Sequence, residues 1–278
     1  MAQDDIDPDG SHPAVYTAQG DDAWLPSELS RGPWDPRAQH GGAPCALLAH
    51  VAERAAPGTG WQLARLTTEL VKPVPLAPLA TRTQVQASRS TVRVGIDLLA
   101  GDVLVARANA LLLAEQPLAL PPDLPGWPRR HLLPLPRDCK EPVRIPGLPR
   151  GVSFYGTAME TRVAEGDPTR PGPCGAWFRL AVPLLHGAAT SPAMRAAAAA
   201  DFGNGLSWVL PAERYLFTNA DMSMNLFRVP QGEWIGVSSV TEAHGGGAGL
   251  VVSHLYDESG PIGLATQTLV LRERRPEA

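Results

Sequence analysis

The sequence predicts an α+β fold in which one unit, a central helix wrapped by a strongly bent antiparallel sheet, is stated twice. Three observations predict it. Each half carries a helical stretch of small residues, 41–55 in the first and 193–210 in the second. Each helix leads into a strand-like run and a basic, proline-containing stop: 63–71 before Lys72-Pro73, and 217–227 before Arg228-Val229-Pro230. Each half then closes on a long apolar strand, 104–113 or 264–271. Aligning Lys72 with Arg228 and Ala106 with Ala265 sets Asp201, Asn219 and Gln267 opposite Cys45, Leu63 and Ala108. The intervals are 18 and 48 residues in the second half against 18 and 45 in the first. Where one copy of a repeat is polar and the other apolar, the polar copy is where chemistry is sought.

Taken in order, residues 1–22 are acidic and polar and are expected as a loose N-terminal arm. The first unit is placed at 23–115. Its helix starts after Gln39-His40, where Gly41-Gly42 lets the backbone turn sharply and leaves the first helical amides uncovered. Ala43, Leu47, Leu48 and Val51 share a helical face. Residues 81–88 alternate as a strand, 91–98 return, and Gly101-Asp102 turns into the closing strand. Residues 116–150 are proline-rich and aperiodic, an irregular linker packed as extended segments. Within it Arg129-Arg130-His131 reads as solvated surface charge, with contact to substrate phosphates the lesser reading.

The second unit is placed at 151–278. Strands 158–163 and 174–182 precede its helix, and Ser191-Pro192 supplies a hydroxyl N-cap followed by proline at the first helical position. The pattern leaves open whether this helix stops at Gly203 or runs to Trp208. Strands 233–241 and 248–256 flank the turn 244–247, and 257–260 turns into the last strand.

The chain has 278 residues, 44% of them hydrophobic and 19% charged, which is a globular balance. A net charge of −4, with no basic stripe bearing aromatics, gives no case for nucleic acid. No run of about 18 apolar residues predicts a membrane span, and the N-terminus lacks a signal-peptide pattern. Three widely spaced cysteines, Cys45, Cys139 and Cys174, support neither a disulfide framework nor a zinc site, so a cytoplasmic enzyme is expected.

Residue by residue, Asp201 reads either as a helix-end cap or as a carboxylate raised in pKa among Ala196–Ala200 and Phe202. Gln267 lies in an apolar strand, where a buried amide requires partners, either a neighbouring strand or a bound water. Asn219 has the same two options. Gly41 and Gly42 after His40 are either a tight turn or carbonyl-binding amides at a helix start. Cys45 reads as a packed core thiol. Ser153 and Ser207 lack a Gly-x-Ser-x-Gly elbow, and His244-Gly-Gly-Gly247 is a hairpin turn rather than a phosphate loop.

Three segments carry a family resemblance: Gln39-His-Gly-Gly42, Asp201-Phe-Gly-Asn204, and Ala265-Thr-Gln267 with Arg272. With the run 219–228, they resemble the bacterial acyl-CoA thioesterase II family over roughly residues 20–275. The resemblance implies a double hotdog fold and hydrolysis of an acyl-CoA with no metal or redox cofactor. It implies that an aspartate, a hydroxyl residue and a glutamine activate the attacking water. Asp201 and Gln267 match the first and last of these. Asn219 stands where the hydroxyl is expected, with Thr218 directly before it, so the middle role falls to Asn219, to Thr218 or to neither. Two alternatives stand beside hydrolysis: an acyl-CoA-binding protein with a decayed site, and an enoyl-CoA hydratase-like enzyme. Against the hydratase, no histidine follows Asp201. Further association into a homo-oligomer is left open. Trp208, Met222, Met224 and Phe227 are candidate acyl-tunnel residues, with plain core packing the simpler reading.

Overall fold

The computed structural model describes residues 14–33, 35–121, 123, 132–148 and 151–274. Thirteen strands and three helices build it. In the first half these are β1 (Tyr16–Ala18), β2 (Ala23–Pro26), α1 (Gly42–Arg54), β3 (Trp61–Leu70), β4 (Leu79–Ala87), β5 (Thr91–Ala100) and β6 (Val103–Ala114). In the second they are β7 (Met159–Glu165), β8 (Cys174–Leu180), α2 (Pro192–Ala200), α3 (Gly203–Leu206), β9 (Tyr215–Asn219), β10 (Asp221–Leu226), β11 (Ile235–His244), β12 (Ala248–Asp257) and β13 (Gly260–Glu273).

All strands join one antiparallel sheet in the order β1-β2-β4-β5-β6-β3-β10-β13-β12-β11-β8-β7, with β9 also on β13. This order is a palindrome about the β3–β10 seam. Each half contributes six strands along the path, and β1 corresponds to β7, β2 to β8, β6 to β13. Glu69 pairs with Asp221 and Arg65 with Asn225 across the seam, so the two units share a continuous hydrogen-bonded sheet.

Two expectations are corrected. The arm over 1–22 is in part a strand: Tyr16 is fully buried, pairs with Pro26, and bridges to Leu185. The physical reason is the repeat itself, because β1 is the outermost strand of its half, as β7 is of the other. The run 217–227, read as one strand, is broken at Ala220. Register to β13 moves by one residue between Asn219, opposite Leu269, and Ser223, opposite Thr266. The Asp221 carboxylate fills the gap by accepting from Thr268 N–H at 2.7 Å. A bulge of this kind re-aims the side chains before it.

α1 and α2 lie inside the sheet and pack on each other; Cys45, Ala46 and Ala49 of α1 and Ala196–Ala200 of α2 are all fully buried. Ser191 caps α2 as expected and also donates to Glu53 Oε2 at 2.6 Å. That bond ties the last turn of α1 to the first of α2, so the helices run antiparallel and the start of α1 meets the end of α2.

The linker supplies buried Leu133 and Cys139, which pack with Trp177, Trp234 and Tyr256 in a second apolar cluster. The Arg129-Arg130-His131 spot lies outside the described residues. No helix among the described residues is long and apolar enough to cross a membrane.

Candidate active site

α2 ends at Ala200, and Asp201 is its C-cap, so neither helix end expected from sequence is reached; the chain turns at Phe202 and restarts as α3. The turn is held against the sheet by Gln267, which is fully buried on β13. Its Nε2 donates to the Asp201 carbonyl at 3.1 Å and to Asp201 Oδ1 at 3.3 Å, and its Oε1 accepts from Asn204 N–H at 3.0 Å. Gly203 permits this approach. A Cβ there would fall 2.5 Å from Ser253 Oγ and 2.9 Å from Gln267 Oε1.

Asp201 is 6% exposed and its carboxylate has partners on both oxygens. Asn219 Nδ2 donates to Oδ1 at 3.0 Å, and His40 Nδ1 lies 3.1 Å from Oδ2. Thr218 faces away: it is exposed, as strand alternation beside Asn219 requires. Of the two candidates for the middle position, the structure brings Asn219 to Asp201.

His40 and Gly41 reach Asp201 from the other half of the chain because the α1 start abuts the α2 end. A Cβ on Gly41 would sit 2.7 Å from Asp201 Oδ2, so only glycine admits the carboxylate. The helix start adds partial positive charge beside it. Gly42 N–H donates to His40 Nδ1 at 3.0 Å and Ala43 N–H to the His40 carbonyl, which leaves Gly41 N–H as the open amide of this turn among the described residues. The His40 ring stacks on Phe202 with centroids 4.4 Å apart.

Three residues in this assembly had no role assigned from sequence. Asn204 donates through Nδ2 to Asn219 Oδ1 at 3.0 Å. Tyr16 donates to Gln39 Oε1, and Gln39 Nε2 donates to the Pro75 carbonyl at 2.8 Å, which fixes the segment leading into His40. Asn204 and Gln39 lie within the quoted motifs; Tyr16 gave no signal, since an acidic tail surrounds it. No histidine follows Asp201 in the chain, but His40 comes beside it from the first half.

Cys45 is fully buried beside the Thr68 hydroxyl, and burial, then the nearby Asp201 charge, push its thiol well above the usual range, so it is no thiolate nucleophile. Ser153 caps the turn at Gly156, and Ser207 donates to the Gly203 carbonyl. Of the tunnel candidates, Met222 and Met224 are core residues and Phe227 is 58% exposed. Trp208 lines a cleft with Ile145, Pro146, Gly205 and Phe217. Glu213 is also on its wall.

A helix-wrapping sheet doubled across a seam, with a polar cluster between the two helix ends, is the double hotdog fold. The chain belongs to the acyl-CoA thioesterase family: residues 30–113 match the acyl-CoA thioesterase N-terminal domain and 136–271 the C-terminal domain. It is a thioester hydrolase by that membership. No curated protein matches the sequence. Among solved structures, a thioesterase candidate from Novosphingobium aromaticivorans is similar at 21% identity and TM-score 0.69, covering 93% of this chain and 98% of that one. An acyl-CoA thioesterase II from Mycobacterium marinum is similar at 15% identity and TM-score 0.62, covering 90% and 98%. A protein of unknown function with a hotdog fold from Alicyclobacillus acidocaldarius gives 16% and 0.68, covering 94% and 96%.

Proposed function

We propose that the chain hydrolyses an acyl-CoA to a free carboxylic acid and coenzyme A through a water activated by Asp201, with Gln267 and Asn219 holding the carboxylate. The observation that carries this reading is the clasp on Asp201: two amides on Oδ1 and an imidazole on Oδ2, drawn from both halves. Such a carboxylate is fixed in place beside the His40 ring, ready to take a proton from water. In the step, water gives a proton to Asp201 as its oxygen bonds the thioester carbon. The carbonyl oxygen becomes an oxyanion, for which Gly41 N–H at the α1 start is the donor proposed. Collapse breaks the C–S bond, and the departing thiolate takes the proton back from Asp201. The apolar cleft at Trp208 and Phe217 is assigned to the acyl group, since Glu213 on its wall disfavours coenzyme A phosphates.

The experiment is thiol release from a panel of acyl-CoAs, with Asp201→Asn and Gln267→Ala beside wild type. Release lost in both supports hydrolysis. Binding without release at any chain length sinks it in favour of a non-catalytic acyl-CoA binder. A second reading, hydration of an enoyl-CoA, is favoured by one observation, the His40–Asp201 pair across the two halves. Loss of enoyl absorbance from crotonyl-CoA without thiol release selects it.

A further inference from the structure

Asn204 is buried at 8% exposure in the first turn of α3, between the two amides that hold Asp201. Its backbone N–H is taken by Gln267 Oε1 at 3.0 Å. Its side-chain Nδ2 is taken by Asn219 Oδ1 at 3.0 Å, with the Phe217 carbonyl at 3.4 Å. Its Oδ1 is buried and has no hydrogen-bond partner among the described residues.

Two consequences follow. An amide side chain has a donor end and an acceptor end of nearly the same shape, so Asn219 can face Asp201 either way round. A donor from Asn204 on Asn219 Oδ1 selects one orientation: the NH₂ of Asn219 then points at the carboxylate, as observed. A hydroxyl at position 219 would need no such selection, because it rotates to donate or accept. An unpaired buried acceptor is costly, so native structures retain one where something else supplies its donor. A water or a substrate N–H or O–H is a donor of that kind.

We propose that Asn204 is a positioning residue of this site: it orients Asn219 toward Asp201 and holds its own Oδ1 open for a hydrogen-bond donor that enters with water or substrate. The pair Asn204–Asn219 thereby does with two amides what a single hydroxyl residue would do. This rests on the hydrolytic reading of Asp201.

The test compares wild type, Asn204→Leu, Asn219→Thr and the double variant in thiol release across pH, with thermal melts. Asn204→Leu removes both the orienting donor and the open acceptor. Its kcat is expected to fall about tenfold or more with KM changed little, and the acid limb of kcat/KM to move to higher pH, because Asn219 is free to turn its oxygen toward Asp201. Adding Asn219→Thr is expected to recover most of the loss and restore the acid limb. Tm is expected to hold within about 4 °C. Unchanged kcat and acid limb in Asn204→Leu would overturn the inference. So would a larger fall in Tm with no recovery by Asn219→Thr, the mark of a purely structural residue. If wild type itself releases no thiol, the Asp201 reading has failed. Orientation is then read from the side-chain NH₂ resonances of Asn219, and resonances unmoved by Asn204→Leu would overturn the inference separately.

Discussion

The carboxylate of Asp201 meets three side chains from three elements, so removing each has a distinct expected outcome. Asp201→Asn keeps the shape and removes the proposed base, and thiol release should drop by about 10²- to 10⁴-fold with little change in urea midpoint. His40→Gln should cost less, about tenfold in kcat, since Asp201 keeps both amides on Oδ1. Gln267→Ala differs in kind. It strands the Asn204 N–H and the Asp201 carbonyl in a buried turn, so about 1–3 kcal/mol of stability should go with the activity, read by denaturant titration. At this scale Asp201 and Gln267 stood out as polar residues in apolar stretches, and His40 through the segment Gln39-His-Gly-Gly42. The choice between Asn219 and Thr218 was not legible, because a one-residue shift in strand register exchanges which of them faces inward.

Among the elements, the α1–α2 pair and the α3 turn position the site. The close approach of Gly203 to Ser253 and Gln267 leaves no room for a methyl group. Gly203→Ala should therefore cost about 1–3 kcal/mol by overpacking and lower kcat together with it, measured by denaturant midpoint and thiol release. Strand β1 acts at greater distance. Tyr16→Phe leaves the buried Gln39 oxygen without its donor, and a loss of about 1–3 kcal/mol is expected alongside a fall in kcat as His40 loosens. Helix positions and most strand ends were readable from small-residue periodicity, alternation and turn chemistry. β1 and the break at Ala220 were not. Three residues of strand amid polar neighbours carry too little pattern, and a bulge is set by the partner strands β3 and β13 rather than by residues 217–227 themselves.

For the molecule as a whole, the candidate cluster spans the two halves, so neither half alone carries both His40 and Asp201. Its stability should also depend on acid pH through a group remote from the site. His50 on α1 packs edge-on to Trp24, and burial, then the Arg54 charge, lower its pKa to about 4. The unfolded value is about 6.5. The unfolded chain thus binds a proton that the folded one refuses, and the stability present above pH 6.5 is lost as pH falls toward 4. His50→Phe should flatten that decline, seen as urea midpoints at pH 7, 5.5 and 4.5 converging relative to wild type. An equal decline in the variant would show that His50 does not drive it.

By itself the sequence determined the doubled helix-and-sheet plan, the linker between the copies and the half that carries polar residues. Helical and strand periodicities and cap residues are local properties, and the repeat makes each half a control for the other. Cys45, Leu63 and Ala108, aligned in sequence with the polar set, are all buried. Only the tertiary structure decided how the halves meet. Antiparallel packing of two alanine-faced helices carries His40 and Gly41 to the end of α2, which lies 161 residues beyond His40 in the chain. Contacts at that separation depend on packing geometry and loop closure, to which no local pattern in the sequence is tied.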